Sequence, residues 1–151
     1  MTRARFNHME LTFERGALDG AMRADIDAFY GDVFGWQAKD IDLLDQKCHF
    51  LRIDEGQFIL LAESKKPMSS PGYDHLGLLM DTRAEVDEAL DKVQRYKEKD
   101  DRVQIKLYDD LPTPSGVVHA FYVKYLLPIY FDVQTIEYKP GMAPEHAWQW
   151  V

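Results

Sequence analysis

One order of elements occurs twice in this chain, and it constrains the fold more than any other feature. Residues 6–14 read as a strand, with Met9, Leu11 and Phe13 alternating with His8, Glu10 and Thr12. Residues 19–34 read as a helix, because Met22, Ile26, Phe29 and Val33 form one apolar stripe and Gly35 supplies a stop. Three strands follow at 37–44, 47–53 and 57–62, parted by Asp45-Gln46 and by Asp54-Glu55-Gly56. Residues 64–72, rich in Ser, Pro and Gly, read as a linker.

The order then restarts. Residues 73–80 read as a strand, and Thr82 with Glu85 matches a capping box for a helix over 83–97 with Val86, Ala89, Leu90 and Val93 inward. Strand patterns recur at 103–108, 117–126 and 129–138, with turns at Pro112-Thr-Pro-Ser-Gly116 and Pro128. A period this long with two copies predicts a duplicated module, not a solenoid, and an α+β class. Module one spans about 6–63, the linker 64–72, module two about 73–140 and a tail 141–151, all in a single 1–151 domain. His8 and His75 fall at matching places in the first strand of each module.

Composition narrows the function classes. An apolar fraction of 46% supports a core. No apolar run approaches the ~20 residues of a membrane helix, and the start of the chain lacks the apolar stretch of a signal peptide. With 18 basic and 26 acidic residues the net charge is −8, which repels a nucleic-acid backbone. The lone Cys48 cannot pair within the chain, so a reducing, cytoplasmic setting is expected.

The chemistry-bearing residues sit on strands. His8 shares a polar face with Glu10 and Thr12, and His75 has Gly77 beside it to leave room for an imidazole. Glu137 lies inside the last strand, where a carboxylate costs several kcal/mol unless paired or metal-bound. Two imidazoles and a carboxylate form a facial ligand set with open positions for a substrate, and structural histidines are the alternative. His119, Tyr122, Tyr130 and Tyr125 are candidates for proton transfer, set against a plain core reading for an aromatic-rich strand. His49 reads as structural, His146 as solvated, and Cys48 as inert.

The run His8-Met-Glu-Leu-Thr-Phe followed by Ile26-Asp-Ala-Phe-Tyr-Gly-Asp-Val-Phe-Gly-Trp36 resembles the opening of the vicinal-oxygen-chelate superfamily. That superfamily includes glyoxalase I, extradiol dioxygenases, fosfomycin-resistance enzymes and bleomycin-binding proteins. Asp74-His-Leu-Gly-Leu78 resembles its second-module opening, and Gln134-Thr-Ile-Glu-Tyr138 its final ligand strand. The resemblance implies two tandem βαβββ modules forming an open eight-stranded cup-shaped sheet around a metal. It implies His8, His75 and Glu137 as ligands, with Fe(II) or Mn(II) as the metal and Zn or Ni as further options. It also implies a small-molecule substrate and a homodimer, to which the aromatic ending Ala147-Trp-Gln-Trp-Val151 adds a contact surface.

Glyoxalase-like members take a fourth ligand, Glu or Gln, from the last strand of module one. Here Leu60 stands at that place, and Glu63 serves only if the strand shifts by three. An extradiol-type dioxygenase is therefore the expected class. A glyoxalase-type lyase or isomerase and a metal-free, drug-sequestering binding protein are the alternatives.

Overall fold

A computed structural model describes residues 4–144, and the chain divides into two compact units, Met1–Ser70 and Pro71–Val151. The expectations for the aromatic ending and for His146 lie outside the described residues.

The first unit runs β1 (His8–Phe13), α1 (Gly20–Phe34), β2 (Gln37–Leu43), β3 (Gln46–Asp54) and β4 (Gln57–Glu63). Asp19 caps α1 by accepting from the Met22 amide at 2.8 Å, and Gly35 ends it in the left-handed region at φ 71°. Leu44 and Asp45, at φ 49° and 61°, turn β2 into β3 with the two left-handed residues of a type I′ hairpin. The sheet order is β1-β4-β3-β2, with β1 parallel to β4 and the other pairs antiparallel. The crossover that a parallel pair requires is α1 together with the β2–β3 hairpin. Ile26, Phe29, Tyr30 and Val33 of α1 are buried, as are Leu11, Phe13, Leu51, Ile59 and Leu61 on the odd-numbered face of the sheet. Three of the four residues expected in the helix stripe are thus core, and Met22 is half-buried.

The second unit repeats the plan: β5 (His75–Leu79), α2 (Arg83–Lys99), β6 (Gln104–Leu107), β7 (Leu111–Pro112), β8 (Gly116–Lys124) and β9 (Tyr130–Tyr138). The capping box at Thr82 and Glu85 forms in both directions, at 3.2 and 2.9 Å. Strand order is β5-β9-β8-β6, with β5 parallel to β9 and β7 paired to β8. Strand β8 stops at Lys124, not at 126, because Leu126 is left-handed at φ 60°. The two-residue β7 went unforeseen, since Pro112 reads as turn chemistry.

The α+β class and the two βαβββ modules are therefore present, each module hydrogen-bonded as its own sheet. In the second unit Phe121, Val123, Phe131, Val133 and Thr135 are buried on the odd-numbered face, with Val86, Ala89 and Val93 of α2 also buried. The helix covers that face and leaves the opposite face of each sheet for function. No helix among the described residues is long and apolar enough to cross a membrane.

Candidate functional site

Strand register fixes which side chains share a face. In the first unit His8 stands opposite Phe58 and Glu10 opposite Leu60. In the second, His75 stands opposite Tyr130 and Gly77 opposite Asp132. Leu60 and Asp132 thus occupy equivalent places, each two residues beyond the partner of the module's histidine and on the histidine's face. Glu63 is on the other face of β4, where its Oε1 accepts from the Leu18 amide at 3.0 Å. The register puts Leu60 on the face of His8 and Glu63 on the opposite one.

Both histidines are tied back in the same way. Nδ1 of His8 lies 2.7 Å from Asn7 Oδ1, and Nδ1 of His75 lies 2.9 Å from the Tyr73 carbonyl. Each acceptor oxygen requires a proton on Nδ1, which leaves the Nε2 lone pair to face outward, the arrangement of metal-binding histidines. Around His75 the second unit gathers polar groups. Its Nε2 is 3.9 Å from Asp132 Oδ2 and 3.5 Å from the Tyr122 hydroxyl.

Asp132 is the most constrained of these groups. Its side chain is only 14% exposed, and Oδ1 is buried without a hydrogen-bond partner among the described residues. Burial pushes its carboxyl above the ordinary range, opposed by the adjacent His75. A buried carboxylate with one orphaned oxygen, Oδ1, and the other, Oδ2, 3.9 Å from an imidazole nitrogen fits two ligands of a divalent cation. Within either unit, no group of three or more His, Cys, Asp or Glu among the described residues is gathered for a metal.

Tyrosines close the second unit's face. Burial raises the Tyr122 hydroxyl above its usual pKa, and the Asp132 charge adds to this. Burial raises Tyr130 too, with Tyr73 adding, and the Tyr130 hydroxyl donates to Gln104 Oε1 at 2.9 Å. The Lys106 ammonium lies 3.7 Å from the centre of the Tyr73 ring and 5.0 Å from that of Tyr108.

Two sequence candidates belong elsewhere. Glu137 is an odd number of residues from Tyr130, so its side chain emerges on the helix face, opposite to His75. It also lies on the order of 20 Å further along β9, at ~3.3 Å per residue. There it accepts from Arg83 Nε and Nη2 at 2.9 and 2.8 Å, and Arg83 holds its carboxyl below the usual range. His119 sits on this same helix face, with Nδ1 2.7 Å from Asp110 and Nε2 2.7 Å from Asp87. Both ring nitrogens are engaged, so it is clamped in an ion-pair cluster and has none to offer His75. Burial favours its neutral form, but the Asp110 and Asp87 hydrogen bonds outweigh this and raise its pKa.

His49 is buried as a structural group, with its nitrogens at Asp40 and Asp27. Tyr125 donates to Asp100 at 2.8 Å and belongs to a separate cluster with Arg102. Asp132 was missed because the final strand was read for a glutamate. The signal was a lone carboxylate inside the apolar run Ile129-Tyr-Phe-Asp-Val133.

Comparison with known proteins agrees with this architecture. FosX, a genomically encoded fosfomycin resistance protein from Listeria monocytogenes solved with Mn(II) and sulfate, superposes with a TM-score of 0.61 at 18% identity. That match covers 90% of this chain and 93% of FosX. An integron cassette protein from V. Cholerae gives 0.58 at 18% identity, over 89% of this chain and 97% of that one. A glyoxylase/bleomycin resistance protein/dioxygenase domain from Frankia gives 0.59 at 15% identity, covering 93% and 96%. At such identities the likeness shows the fold alone. No curated protein matches the chain. The family model of the Glyoxalase/Bleomycin resistance protein/Dioxygenase superfamily matches residues 24–109, more than half the sequence, and the chain belongs to that superfamily.

Proposed function

We propose that the protein is a metal-dependent enzyme acting on a small, metal-chelating substrate. The observation that carries this reading is the tied-back His75 with Asp132 beside it, Oδ2 at 3.9 Å from Nε2 and Oδ1 buried without a partner among the described residues. Asp132 takes the role expected of Glu137. His75 and Asp132 hold the cation from the second module, in a protein that acts as a homodimer. The FosX structure solved with Mn(II) supports a divalent ion. The site's oxygen and imidazole donors suit Fe(II) or Mn(II), and Zn or Ni less well.

A bound cation would supply Lewis acidity toward adjacent substrate oxygens. The chain's own groups do the rest. Tyr122, 3.5 Å from His75 Nε2, holds its proton at neutral pH and donates a hydrogen bond to a substrate oxygen. Tyr130 is fixed by Gln104 and walls the site against water. Leu60 at the position equivalent to Asp132 leaves β4 without a carboxylate base on that face, where Glu10 of β1 is the carboxylate opposite it. Proton shuttling of the glyoxalase kind is thereby disfavoured and an extradiol-type dioxygenase favoured. The setting is cytoplasmic, where the buried Cys48 stays a free thiol.

Anaerobic loading with Fe(II), followed by oxygen uptake on adding catechol-like chelators, tests the reading. Uptake that depends on both iron and chelator is expected. Absence of metal loading contradicts the enzyme and leaves a metal-free binding protein, the second reading that the half-buried Phe50 and Phe58 of the first unit favour.

A further inference from the structure

We infer that the first unit's sheet binds a planar aromatic ring bearing an anionic group, an aromatic carboxylate in its simplest form. A cavity of about 410 Å³ opens over β2, β3 and β4, lined by Gln37, Lys39, Phe50, Arg52, Asp54 and Phe58 among others. That volume falls in the ~300–1,000 Å³ range of small-ligand sites.

Two of its lining rings, Phe50 and Phe58, belong to a near-parallel stack that begins at His8, outside the lining. His8 stacks on Phe58 with centroids 4.8 Å apart and planes 3° apart, and Phe58 on Phe50 at 4.6 Å and 26°. Strand alternation places these rings on the face away from α1, where they gain no burial from the unit's core. A flat aromatic ligand continues such a stack, and an aliphatic one forfeits the ring–ring geometry.

Charge selects the second feature. Lys39 stands opposite Phe50 in the β2–β3 register, and Arg52 opposite Phe58 across β3–β4. Neither has a hydrogen-bond or ion-pair partner among the described residues. The one acid in the lining, Asp54, uses Oδ1 to accept from the Glu55 amide at 2.7 Å within the turn. In a chain of net charge −8, two unpaired cations over an aromatic floor make a local anion site against the overall field. The Arg52 guanidinium matches a carboxylate in planar, two-pronged fashion. A cationic ligand is repelled by the same two groups.

This names the substrate class of the enzyme reading and rests on that reading for its catalytic meaning, whereas the binding itself needs no metal. The test is calorimetric titration of 2-naphthoate into the full chain stripped of metal by a chelator, at low salt. One-site saturable binding is expected. Phe58→Leu weakens it roughly 3- to 10-fold, and Arg52→Gln weakens it roughly 10-fold. With the natural protein, the ring-saturated carboxylate and the uncharged 2-naphthalenemethanol each bind less tightly than 2-naphthoate. No saturable binding at millimolar 2-naphthoate overturns the inference, as does equal binding of all three compounds. Because the protein is metal-free, failure here leaves the His75–Asp132 site untouched, and failure of metal loading leaves this site untouched.

Discussion

Replacing Asp132 by leucine should strengthen the metal-free fold while removing metal binding. The Asp132 carboxylate is 14% exposed, and its Oδ1 has no partner among the described residues. A buried polar atom left unpaired costs about 1–3 kcal/mol, and leucine in its place carries no such cost. Asp132→Leu should therefore raise unfolding stability by about 1–2 kcal/mol at pH 7, or roughly 2–4 °C in Tm per kcal/mol for a chain of this size.

The sign also predicts a pH dependence. Burial raises the folded carboxyl's pKa above the unfolded value. Its contribution to stability is thus fully present below the unfolded pKa of ~3.9 and is lost as pH rises through the folded value. The penalty grows as pH rises through the folded value, and the gap between variant and natural protein should narrow on acidification. Urea denaturation of both proteins in chelator at pH 7 and pH 5 measures this. A variant less stable than the natural protein at pH 7, or one that still binds a stoichiometric divalent ion, refutes the reasoning. Such stability gained at the expense of function is common where a site holds strained polar groups.

Three further outcomes follow from the same geometry. His119, held between Asp110 and Asp87, has a raised pKa, so its stabilisation is complete below ~6.5 and fades as pH rises through the folded value. His119→Gln should accordingly flatten the loss of stability between pH 6 and 9, and identical slopes in urea unfolding count against the clamp. With Leu60 where β4 would carry a carboxylate on the His8 face, the natural protein should show negligible turnover of methylglyoxal–glutathione hemithioacetal in a spectrophotometric assay, because losing the base at that place forfeits ~10²–10⁴ in rate. Leu60→Glu, metal-loaded, should gain measurable turnover, and robust activity in the unmutated chain contradicts the three-ligand reading. Phe29, fully buried in α1, should cost about 3–5 kcal/mol when cut to alanine, measured by denaturation, and a cost below 1 kcal/mol counts against the packing described.

The duplicated module was legible because its signals are local. Period-two alternation around His8, the stripe Ile26–Phe29–Val33 and the Thr82–Glu85 box each reflect interactions within a few residues. The matched places of His8 and His75 were legible for the same reason, since each opens its module's first strand. The carboxylate was not, because it depends on register between β5 and β9, which are separated in sequence by the whole second module. Glu137 satisfied the residue-type rule, yet parity puts it on the helix face, where Arg83 from α2 claims it. His119 failed likewise: its alternation partners are clear from sequence, but Asp87 and Asp110 come from a helix and a loop. The turn between β2 and β3 was legible only to within one residue, at Asp45-Gln46 instead of Leu44-Asp45, as neither left-handed residue is glycine.

Elemental analysis of four proteins loaded with Mn(II) and desalted tests the central claim most directly. The natural chain should carry near one metal per chain, His75→Ala and Asp132→Ala should carry little, and Glu137→Gln should match the natural chain. Metal lost from Glu137→Gln but kept by Asp132→Ala would contradict the account and return the ligand role to Glu137.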